Sequence, residues 1–560
     1  MRRFAIAVCV AVLVFAAGFQ APTADIQILD PHYRLGILAK DSPLPGCNGA
    51  IVGPDGALYV THADAGTISR LDLATRKATT FVPDYAGIFI PDDITVDDQG
   101  NFYVTGTSPL VGDVYRIDPK GKKTVIARGI PGANGIHFNL RTGRLFVSEC
   151  FAGNRVFEID PRGVREPKLL VKENVIAIPE GFGFDPDTGD LIIPDLGKDR
   201  ILRVNPDTGA MTMIAENFVT PVALDVGPDK KAYIVELDTG GVYRLGLDGR
   251  HRQKLAQLPP GIDNVALAPD GRLFVTSYWD ATVFEVSTDG SGKYQTLFPM
   301  GSASIAGILA KGKRILTSDW IMIRSVENGK FVKSKLNVWA TREMFTALVT
   351  GKVPSPGTME DGPGDEVFWS DGGSQVAMGN PMTGEFKVLP CQFNGAMGLL
   401  MNPERTELYV AEYGAGQIAS FSLAQGTKRV VTTGLEGPIS MALVEGRLYV
   451  AESKAGRISQ VDPATGKKEI FLCGMISRPT AMGSDQSGDL LVLDAAGKRL
   501  YRIGIRDLSV SVIAANLPIR YSVVGNYPPS ESPWPMSIGG DGSIYLGTTR
   551  RGVIMLKKVG

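Results

Sequence analysis

Short apolar strands separated by polar turns recur along the chain, in the same order each time. The unit runs from a polar turn through a first strand, a turn of the -DG- or -TG- type, an apolar strand and a third strand. Its clearest copies are GPDGALYV at 53–60 and APDGRLFV at 268–275. The apolar strand recurs at 145–147, 191–193, 232–234, 408–410, 448–450, 490–492 and 544–546. A repeat of roughly 40 to 50 residues with about four strands is typical of a β-propeller.

The residue that opens the innermost strand of each repeat sets the register. These residues are spaced by 41 to 46 positions in the first part of the chain: Asn48, Asp92, Asn134, Glu180, Val222, Asp263 and Ser304. About twelve four-stranded repeats fit the chain, and a ring of twelve would exceed the usual range of about four to eight blades. We therefore predict an all-β fold of two six-bladed propellers, at 25–300 and 301–560. A spare strand at 33–40 should close one ring, because unpaired edge strands promote aggregation. The sequence does not decide which of the two rings this strand closes.

The N-terminus has Arg2 and Arg3 before an apolar run at 4–19, which predicts a signal peptide at 1–24. The run is short for a membrane span. We expect a secreted or periplasmic protein, with an uncleaved anchor as the alternative. The mature chain would keep Cys47, Cys150, Cys391 and Cys473, which permit disulfides without fixing their pairing. Charge is balanced, with Lys+Arg 58 against Asp+Glu 59, which gives no electrostatic case for nucleic acid.

The opening residues of the two predicted rings differ in chemistry. Five of the first six carry side-chain oxygens, and Asn264 adjoins Asp263. The later ones are Ser304, Gly357, Met397, Pro438, Pro479 and Trp534 or Pro535. Two charges roughly 6 Å apart repel by about 3 kcal/mol at an effective dielectric near 20. Three carboxylates in one channel therefore need a cation, a proton or wide spacing, and an oxygen-only set suits Ca²⁺ first and Mg²⁺ next. The alternative is structural, since Asx residues at strand starts often bond neighbouring backbone.

Three segments resemble channel-facing strands of the gluconolactonase/regucalcin-like lactonases and the related paraoxonases. They are ANGI at 133–136, PEGF at 179–182 and IDNVALAPDG at 262–271, and the resemblance covers roughly 30–300. The repeat also resembles NHL-repeat proteins and the virginiamycin B lyase group. The lactonase resemblance implies a divalent cation, Ca²⁺ by preference, with ligands at Asn134, Glu180, Asp263 and Asn264. Asn48 and Asp92 would complete the shell or place water. The lactonases carry their ligand Glu on the first blade, where this chain has Asn48, so substrate identity does not transfer.

The resemblance implies a metal-dependent hydrolase of a small lactone or ester, and the predicted signal peptide would export it. A carboxylate not fully committed to the cation, Asp92 or Asp263, would take the proton from attacking water. A non-catalytic NHL-like binding protein is the alternative. Its partner would engage the rim at a predicted helical insert, 341–356, or at the loop 522–535. A lyase is a third reading, in which His62 or His137 would be essential.

Overall fold

A computed structural model describes residues 25–83, 87–88, 90–107, 112–150, 153–302, 305–319, 321–338, 352–518, 535–548 and 552–559. The predicted signal peptide and most of the two predicted rim segments lie outside these residues. In the described ranges, no helix has both the length and the apolar composition needed to cross a membrane.

The described residues form 49 strands in twelve antiparallel sheets, eleven of four strands and one of five. The predicted all-β propeller fold is confirmed. The N-terminal strands are β1 Gln27–Ile28 and β2 Tyr33–Ala39. The next six sheets, blades 1 to 6, comprise β3 Cys47–Val52, β4 Leu58–His62, β5 Thr67–Asp72, β6 Lys77–Val82; β7 Pro91–Val96, β8 Phe102–Gly106, β9 Asp113–Ile117, β10 Lys123–Arg128; β11 Ala133–Asn139, β12 Arg144–Glu149, β13 Val156–Ile159, β14 Lys168–Val171; β15 Gly183–Phe184, β16 Leu191–Asp195, β17 Arg200–Val204, β18 Met211–Ala215; β19 Pro221–Val226, β20 Lys231–Glu236, β21 Gly241–Gly246, β22 Gln253–Gln257; β23 Ile262–Leu267, β24 Leu273–Ser277, β25 Thr282–Val286, β26 Tyr294–Thr296.

Blades 7 to 12 follow the same antiparallel order. They comprise β27 Gly307–Lys311, β28 Arg314–Ser318, β29 Met322–Glu327, β30 Lys330–Asn337; β31 Thr358–Asp361, β32 Val367–Ser370, β33 Ala377–Gly379, β34 Phe386–Val388; β35 Ala396–Met401, β36 Glu407–Glu412, β37 Gln417–Ser422, β38 Thr427–Thr433; β39 Pro438–Val444, β40 Arg447–Glu452, β41 Arg457–Val461, β42 Lys468–Cys473; β43 Pro479–Ser484, β44 Leu490–Asp494, β45 Arg499–Ile503, β46 Val510–Ala515; β47 Met536–Ile538, β48 Ile544–Thr548, β49 Gly552–Lys558. A short 3₁₀ turn at Leu196–Lys198 joins two strands of blade 4.

Burial explains the apolar triplets of the sequence. The second strand of a blade is enclosed by its own sheet and by both neighbouring blades, so every position of β4, β8, β16 and β24 is buried. The fourth strand lies at the outer edge, where five of the six positions of β6 are exposed or half-buried. Each seam between blades is a separate apolar cluster rather than part of one central core.

Contacts between innermost strands divide the twelve blades into two closed rings. In the first ring, β23 of blade 6 packs against β3 of blade 1. Leu58 and Val60 meet Phe274 and Val283 at that seam. In the second ring, β47 of blade 12 packs against β27 of blade 7.

The N-terminal segment closes the second ring, not the first. Strand β2 pairs with β49, from Tyr33 opposite Lys558 to Ala39 opposite Val553, and supplies the fourth strand of blade 12. Strand β1 adds a fifth strand to blade 11 through β46. The chain therefore starts in the second ring, forms the first, and returns, so the two rings are linked by two chain crossings.

Buried charges hold these two crossings together. The Asp41 carboxylate on one crossing accepts the backbone N–H of Ser302 on the other at 2.9 Å. Burial raises the pKa of Asp41 to about 6. Nearby, the Arg324 guanidinium is almost fully buried, donates to the Asp319 carboxylate at 2.7 Å, and also donates to the Trp279 carbonyl of the first ring.

Candidate functional site

Irregularities in strand pairing aim the predicted site residues into the first channel. The first residue of each innermost strand pairs with the end of its neighbour, as Cys47 does with His62 and Ala133 with Glu149. The register then shifts, and the next residues are left out of the ladder. Such bulges redirect side chains. Positions displaced in this way, or by the isolated bridge before Glu180, are Asn48, Asp92, Asn134, Glu180, Val222, Asp263 and Asn264.

The same register corrects two predicted positions in the second ring. Pro438 and Pro479 occupy the paired first position, opposite Glu452 and Asp494, so the residues equivalent to Asp92 are Ile439 and Thr480. In the first ring, Pro91 and Pro221 occupy the same paired position, directly before Asp92 and Val222. The predicted second-ring positions Pro438 and Pro479 are therefore one residue too early. Ser304 and Trp534 lie outside the described residues. The corrected positions still carry no acid, so the contrast between the rings stands.

Backbone contacts between blades hold the opening residues in place. In blades 1 to 3, a hydroxyl on the second strand donates to the carbonyl of the next blade's opening residue. Thr61 donates to Asp92, Thr105 to Asn134 at 2.5 Å, and Ser148 to Glu180 at 3.1 Å.

Glycines let the blades approach this closely. A Cβ on Gly135 would lie 2.8 Å from Ser148 Oγ and would overlap the Glu180 carbonyl. The Asn-Gly and Glu-Gly pairs of the sequence are therefore steric requirements of the ring.

Three carboxylates share the end of the first channel at which these residues lie, which we call the mouth. Burial raises the pKa of Glu180 well above its usual range, and the charges of Asp92 and Asp263 add to the effect. Burial, followed by Asp263, raises the pKa of Asp92 in the same way. Burial, with Asp93, raises the pKa of Asp263 to about 7. Three mutually repelling acids in a desolvated site hold protons more tightly than free carboxyls do.

A second set of buried acids has the opposite environment. It ends the second strand of several blades, and most of its members bond a cation and a backbone N–H. Glu452, for example, accepts from Arg457 at 2.9 Å and from the backbone N–H of Glu436 at 2.6 Å. The set consists of Glu149, Asp195, Glu236, Glu412, Glu452 and Asp494. By contrast, no ion pair with Lys or Arg reaches Asp92, Glu180 or Asp263 within the described ranges.

Asn264, a predicted ligand, is engaged within the protein. Its Nδ2 donates to Asp93 Oδ1 at 2.9 Å, and its Oδ1 accepts the backbone N–H of Val265 at 2.7 Å. Asp93 was not among the predicted site residues, although the Asp92–Asp93 doublet stands at a strand start in the sequence. Asp93 Oδ2 also accepts the backbone N–H of Ile136 at 2.9 Å. Burial raises the pKa of Asp93 to about 7.

The cysteines and histidines have structural surroundings. The four described cysteines are free thiols, with Cys47 and Cys150 fully buried near the mouth. Burial, followed by Glu180 and Asp92, raises the pKa of the Cys150 thiol well above its usual range. His62 is buried, with Nε2 2.8 Å from Ser69 Oγ. The His137 ring packs edge-on against Phe184 and bonds the backbone of Phe182 in the next blade; burial lowers its pKa.

The side-chain oxygens at the mouth determine which cation it could bind. In the part of the chain that the structure describes, no three His, Cys, Asp or Glu side chains lie close enough to hold a metal ion by themselves. A cation would therefore need amide oxygens as well, and Asn48 and Asn134 offer them in the same ring. An oxygen-only mixture of carboxylates and amides fits Ca²⁺, which accepts both.

The second ring also encloses a cavity, of about 370 Å³. It contains one acid away from ion pairs, Glu360, whose pKa burial raises to about 7. The adjacent Asp361 bonds Lys311 and Arg405. The mouth of the first ring remains the place where several unpaired acids meet.

Comparison with known proteins supports the resemblance drawn from the sequence. Residues 28–171 match the family model described as SMP-30/Gluconolactonase/LRE-like region. A gluconolactonase from Zymomonas mobilis is 25% identical over 205 residues, which are 32% of this chain and 57% of that protein. Peptidyl-glycine alpha-amidating monooxygenase A from Xenopus laevis is 26% identical over 140 residues, 22% of this chain and 15% of that protein. The chain thus spans less than two thirds of either relative.

Solved structures resemble the chain more distantly. A catalytically inactive virginiamycin B lyase from Staphylococcus aureus, crystallised with quinupristin, has a TM-score of 0.37 and 20% identity, covering 51% of this chain and 96% of that one. The GH74 enzyme of Niastella koreensis has a TM-score of 0.41 and 13% identity, covering 94% and 99%. The gluconolactonase-like resemblance is accordingly shown by sequence, over residues 28–171.

Proposed function

We propose that this protein is a divalent-metal-dependent hydrolase of small lactones or esters, acting at the mouth of the first ring. The observation that carries the proposal is the set of three carboxylates that meet at the mouth: Asp92 and Glu180, which are buried, and Asp263, which is half-buried. Burial, followed by the charge of Asp263, raises the pKa of Asp92, and burial, followed by the charges of Asp92 and Asp263, raises that of Glu180. Other buried acids bond Arg, Lys or backbone N–H groups. Unpaired acids with shifted pKa values, gathered in a channel, are typical of functional sites. The gluconolactonase relative supports the reaction class.

The cation would be held by oxygens of Asn48, Asn134, Glu180 and Asp263, with Ca²⁺ preferred and Mg²⁺ second. Asn264 is left out of this set because both ends of its amide are bonded within the protein. When bound, a divalent cation polarises a substrate carbonyl and offsets the negative charge that develops on its oxygen.

The proton of the attacking water goes to a carboxylate of the same ring. A general base works best when its pKa lies near the working pH. Burial raises the pKa of Asp263 to about 7 without a cation. A cation bound to Asp263 would lower this pKa, so Asp263 would act as the base only through an oxygen that the cation leaves free. Asp92 is the second candidate, and a hydrogen bond from Thr107 opposes the rise of its pKa. Burial also keeps bulk water from screening these charges, which strengthens their action on a bound substrate.

The lyase and binding-protein alternatives lead to different results. A lyase mechanism would require His62 or His137, but His62 bonds Ser69 and His137 bonds the backbone of the next blade. A non-catalytic propeller would tolerate loss of the mouth carboxylates.

We also propose export to the periplasm or the medium, from the signal-like segment 1–24. Cell fractionation of the full chain and of a chain lacking 1–24 tests this, because both would stay in the cytoplasm if the segment is not a signal.

Metal analysis of the purified protein and a panel of lactones and aryl esters test the main proposal. Glu180→Gln and Asp263→Asn should each lower kcat/KM by about 10²-fold or more, the usual contribution of a general base or charged group. Thr480→Val, at the equivalent position of the second ring, is the matched control and should leave activity unchanged. Absence of a bound divalent ion, together with unchanged activity in Glu180→Gln, would overturn the proposal.

A further inference from the structure

One hydrogen bond crosses the first channel directly beneath the mouth. Asp93 of blade 2 accepts from the Asn264 side chain of blade 6 at 2.9 Å, and both residues are buried. A backbone N–H only donates, so the Asn264 oxygen must face Val265 and the amide nitrogen must face Asp93. The Asn264 oxygen bonds the adjacent Val265 N–H, which further fixes the side chain.

Blades 2 and 6 are not neighbours, because blade 1 lies between them. The bond therefore passes in front of the innermost strand of blade 1, at Gly49. A Cβ at that position would lie 2.8 Å from Asp93 Oδ1 and 2.6 Å from Asp93 Cα. Gly49 is thus the residue that lets the Asp93 carboxylate reach across.

The opposite wall approaches the same point. A Cβ on Gly181 of blade 4 would lie 3.7 Å from Asn264 Nδ2, which is ordinary van der Waals contact. Side chain and backbone from blades 2, 4 and 6, every second blade of the ring, therefore converge at one level of the channel. We call the Asp93–Asn264 pair at this level the floor.

The floor also joins the two strands that carry candidate bases. Asp93 follows Asp92 on β7, and Asn264 follows Asp263 on β23. The length of the Asp93–Asn264 bond consequently limits how far Asp92 and Asp263 can move apart. On the proposed function, this distance matters because one carboxylate binds the cation while the other accepts a proton.

The geometry points to Asn264 as a positioning residue that acts through Asp93. The pair ties β7 to β23 beside the mouth carboxylates and sets the spacing of Asp92 and Asp263. This inference rests on the proposed function for the role of the carboxylates, but the bond itself does not.

The test exchanges donor and acceptor. Asn264→Asp places two carboxylates against each other, and Asp93→Asn places two amides there, while the double variant restores one N–H···O bond with the roles reversed. We expect each single variant to weaken Ca²⁺ binding, followed by titration calorimetry, by about tenfold, the factor that corresponds to about 1.4 kcal/mol. The double variant should return to within about threefold of the parent, because residues in direct contact are coupled. Urea unfolding of the same four proteins, without Ca²⁺, follows the bond independently.

The results separate the alternatives. If Asn264 were a direct ligand, Asn264→Asp would bind Ca²⁺ more tightly or equally, and the double variant would not recover; either result overturns the inference. If the parent binds no Ca²⁺, the proposed function fails, and the urea unfolding measurements decide the inference. Additive effects of Asn264→Asp and Asp93→Asn on the free energy of unfolding would then refute the bond. If Asn264→Asp does not fold, Asn264→Ala and Asp93→Ala replace the pair. Their effects on Ca²⁺ affinity should then be non-additive, and additivity refutes the inference.

Discussion

Replacing a buried carboxylate by its neutral isostere should have opposite effects on stability at two places in this protein. Glu180→Gln removes a charge that burial and the Asp92 carboxylate both disfavour. Glu452→Gln removes a charge that the Arg457 guanidinium, the Ser459 hydroxyl and a backbone N–H all stabilise. Both changes replace one carboxylate oxygen by an NH₂ group at a buried position, so we expect the surroundings to decide the sign.

The magnitude at Glu180 depends on pH. Its pKa is raised in the native state, so folding takes up a proton, and native stability falls as pH rises above the unfolded value of about 4.3. That loss is about 1.4 kcal/mol for each pH unit while the group stays protonated. Glu180→Gln should remove it, giving a gain that is small near pH 5 and grows toward pH 8 by up to about 1.4 kcal/mol for each pH unit.

At Glu452 the sign is reversed. Arg457 and the other donors outweigh the burial of this carboxylate and lower its pKa, so its contribution to stability is present above the unfolded value and lost as pH falls. Glu452→Gln leaves Arg457 without its charge partner. Breaking one side of a buried pair costs about 3–5 kcal/mol. The loss should be larger at pH 8 than at pH 3, where the native carboxylate is itself becoming protonated.

Urea unfolding of the EDTA-treated protein, followed by far-UV circular dichroism at pH 5 and pH 8, measures both effects. The rings can unfold in separate transitions, in which case Glu180→Gln should move the first-ring transition and Glu452→Gln the second. Saturating Ca²⁺ should stabilise the parent more than Glu180→Gln, because the ion binds only the native site. A loss of stability in Glu180→Gln at pH 8, or a gain equal at the two pH values, would show that Glu180 is not an unpaired, repelled acid.

Three further predictions concern the scaffold. Gly135→Ala should destabilise the protein by about 1–3 kcal/mol, because its Cβ would overlap the next blade; Gly540→Ala, which has open space around it, should change the thermal midpoint little. Arg324→Met should cost about 3–5 kcal/mol by leaving Asp319 buried without its partner, and adding Asp319→Asn should recover part of this in calorimetry. Removal of residues 25–40 should lower the melting temperature of the second ring and leave Ca²⁺ titration of the first unchanged, since β2 belongs to blade 12; a first-ring loss instead would contradict the observed pairing.

The repeat and its register were predictable because each blade is local in sequence. Four consecutive strands pair in a meander, so the apolar triplets and the -DG- turns report the sheet directly. The partner of the N-terminal strand was not predictable in this way. The edges of blade 12 and of a first-ring blade present the same unpaired backbone groups, and only the three-dimensional path of the chain selects β49 as the partner.

The opening residues were also accessible from sequence, but their bonds were not. A two-residue bulge leaves Asp92 and Asp93 outside the ladder together, and sequence does not show which of the two faces the mouth. The structure gives Asp93 three hydrogen bonds, two of them to other blades. Asn264 was predicted as a ligand because it adjoins Asp263, yet the spatial proximity of Asp93, 171 positions away, gives it another partner.

Burial alone would not have separated the mouth carboxylates from the ion-paired acids, because both sets are largely shielded from solvent. The distinguishing feature is the partner, and part of it is visible in the sequence. Asp195 and Glu452 end an apolar strand and are followed five positions later by Arg200 and Arg457, which begin the adjacent antiparallel strand and lie opposite them. An acid at that spacing carries its own counter-charge. An acid placed at the start of an innermost strand faces the channel instead, where its neighbours are the equivalent residues of other blades. When several of those are also acids, their charge must be offset by protons or by a cation, and this is the physical reason to propose a cation at the mouth of the first ring.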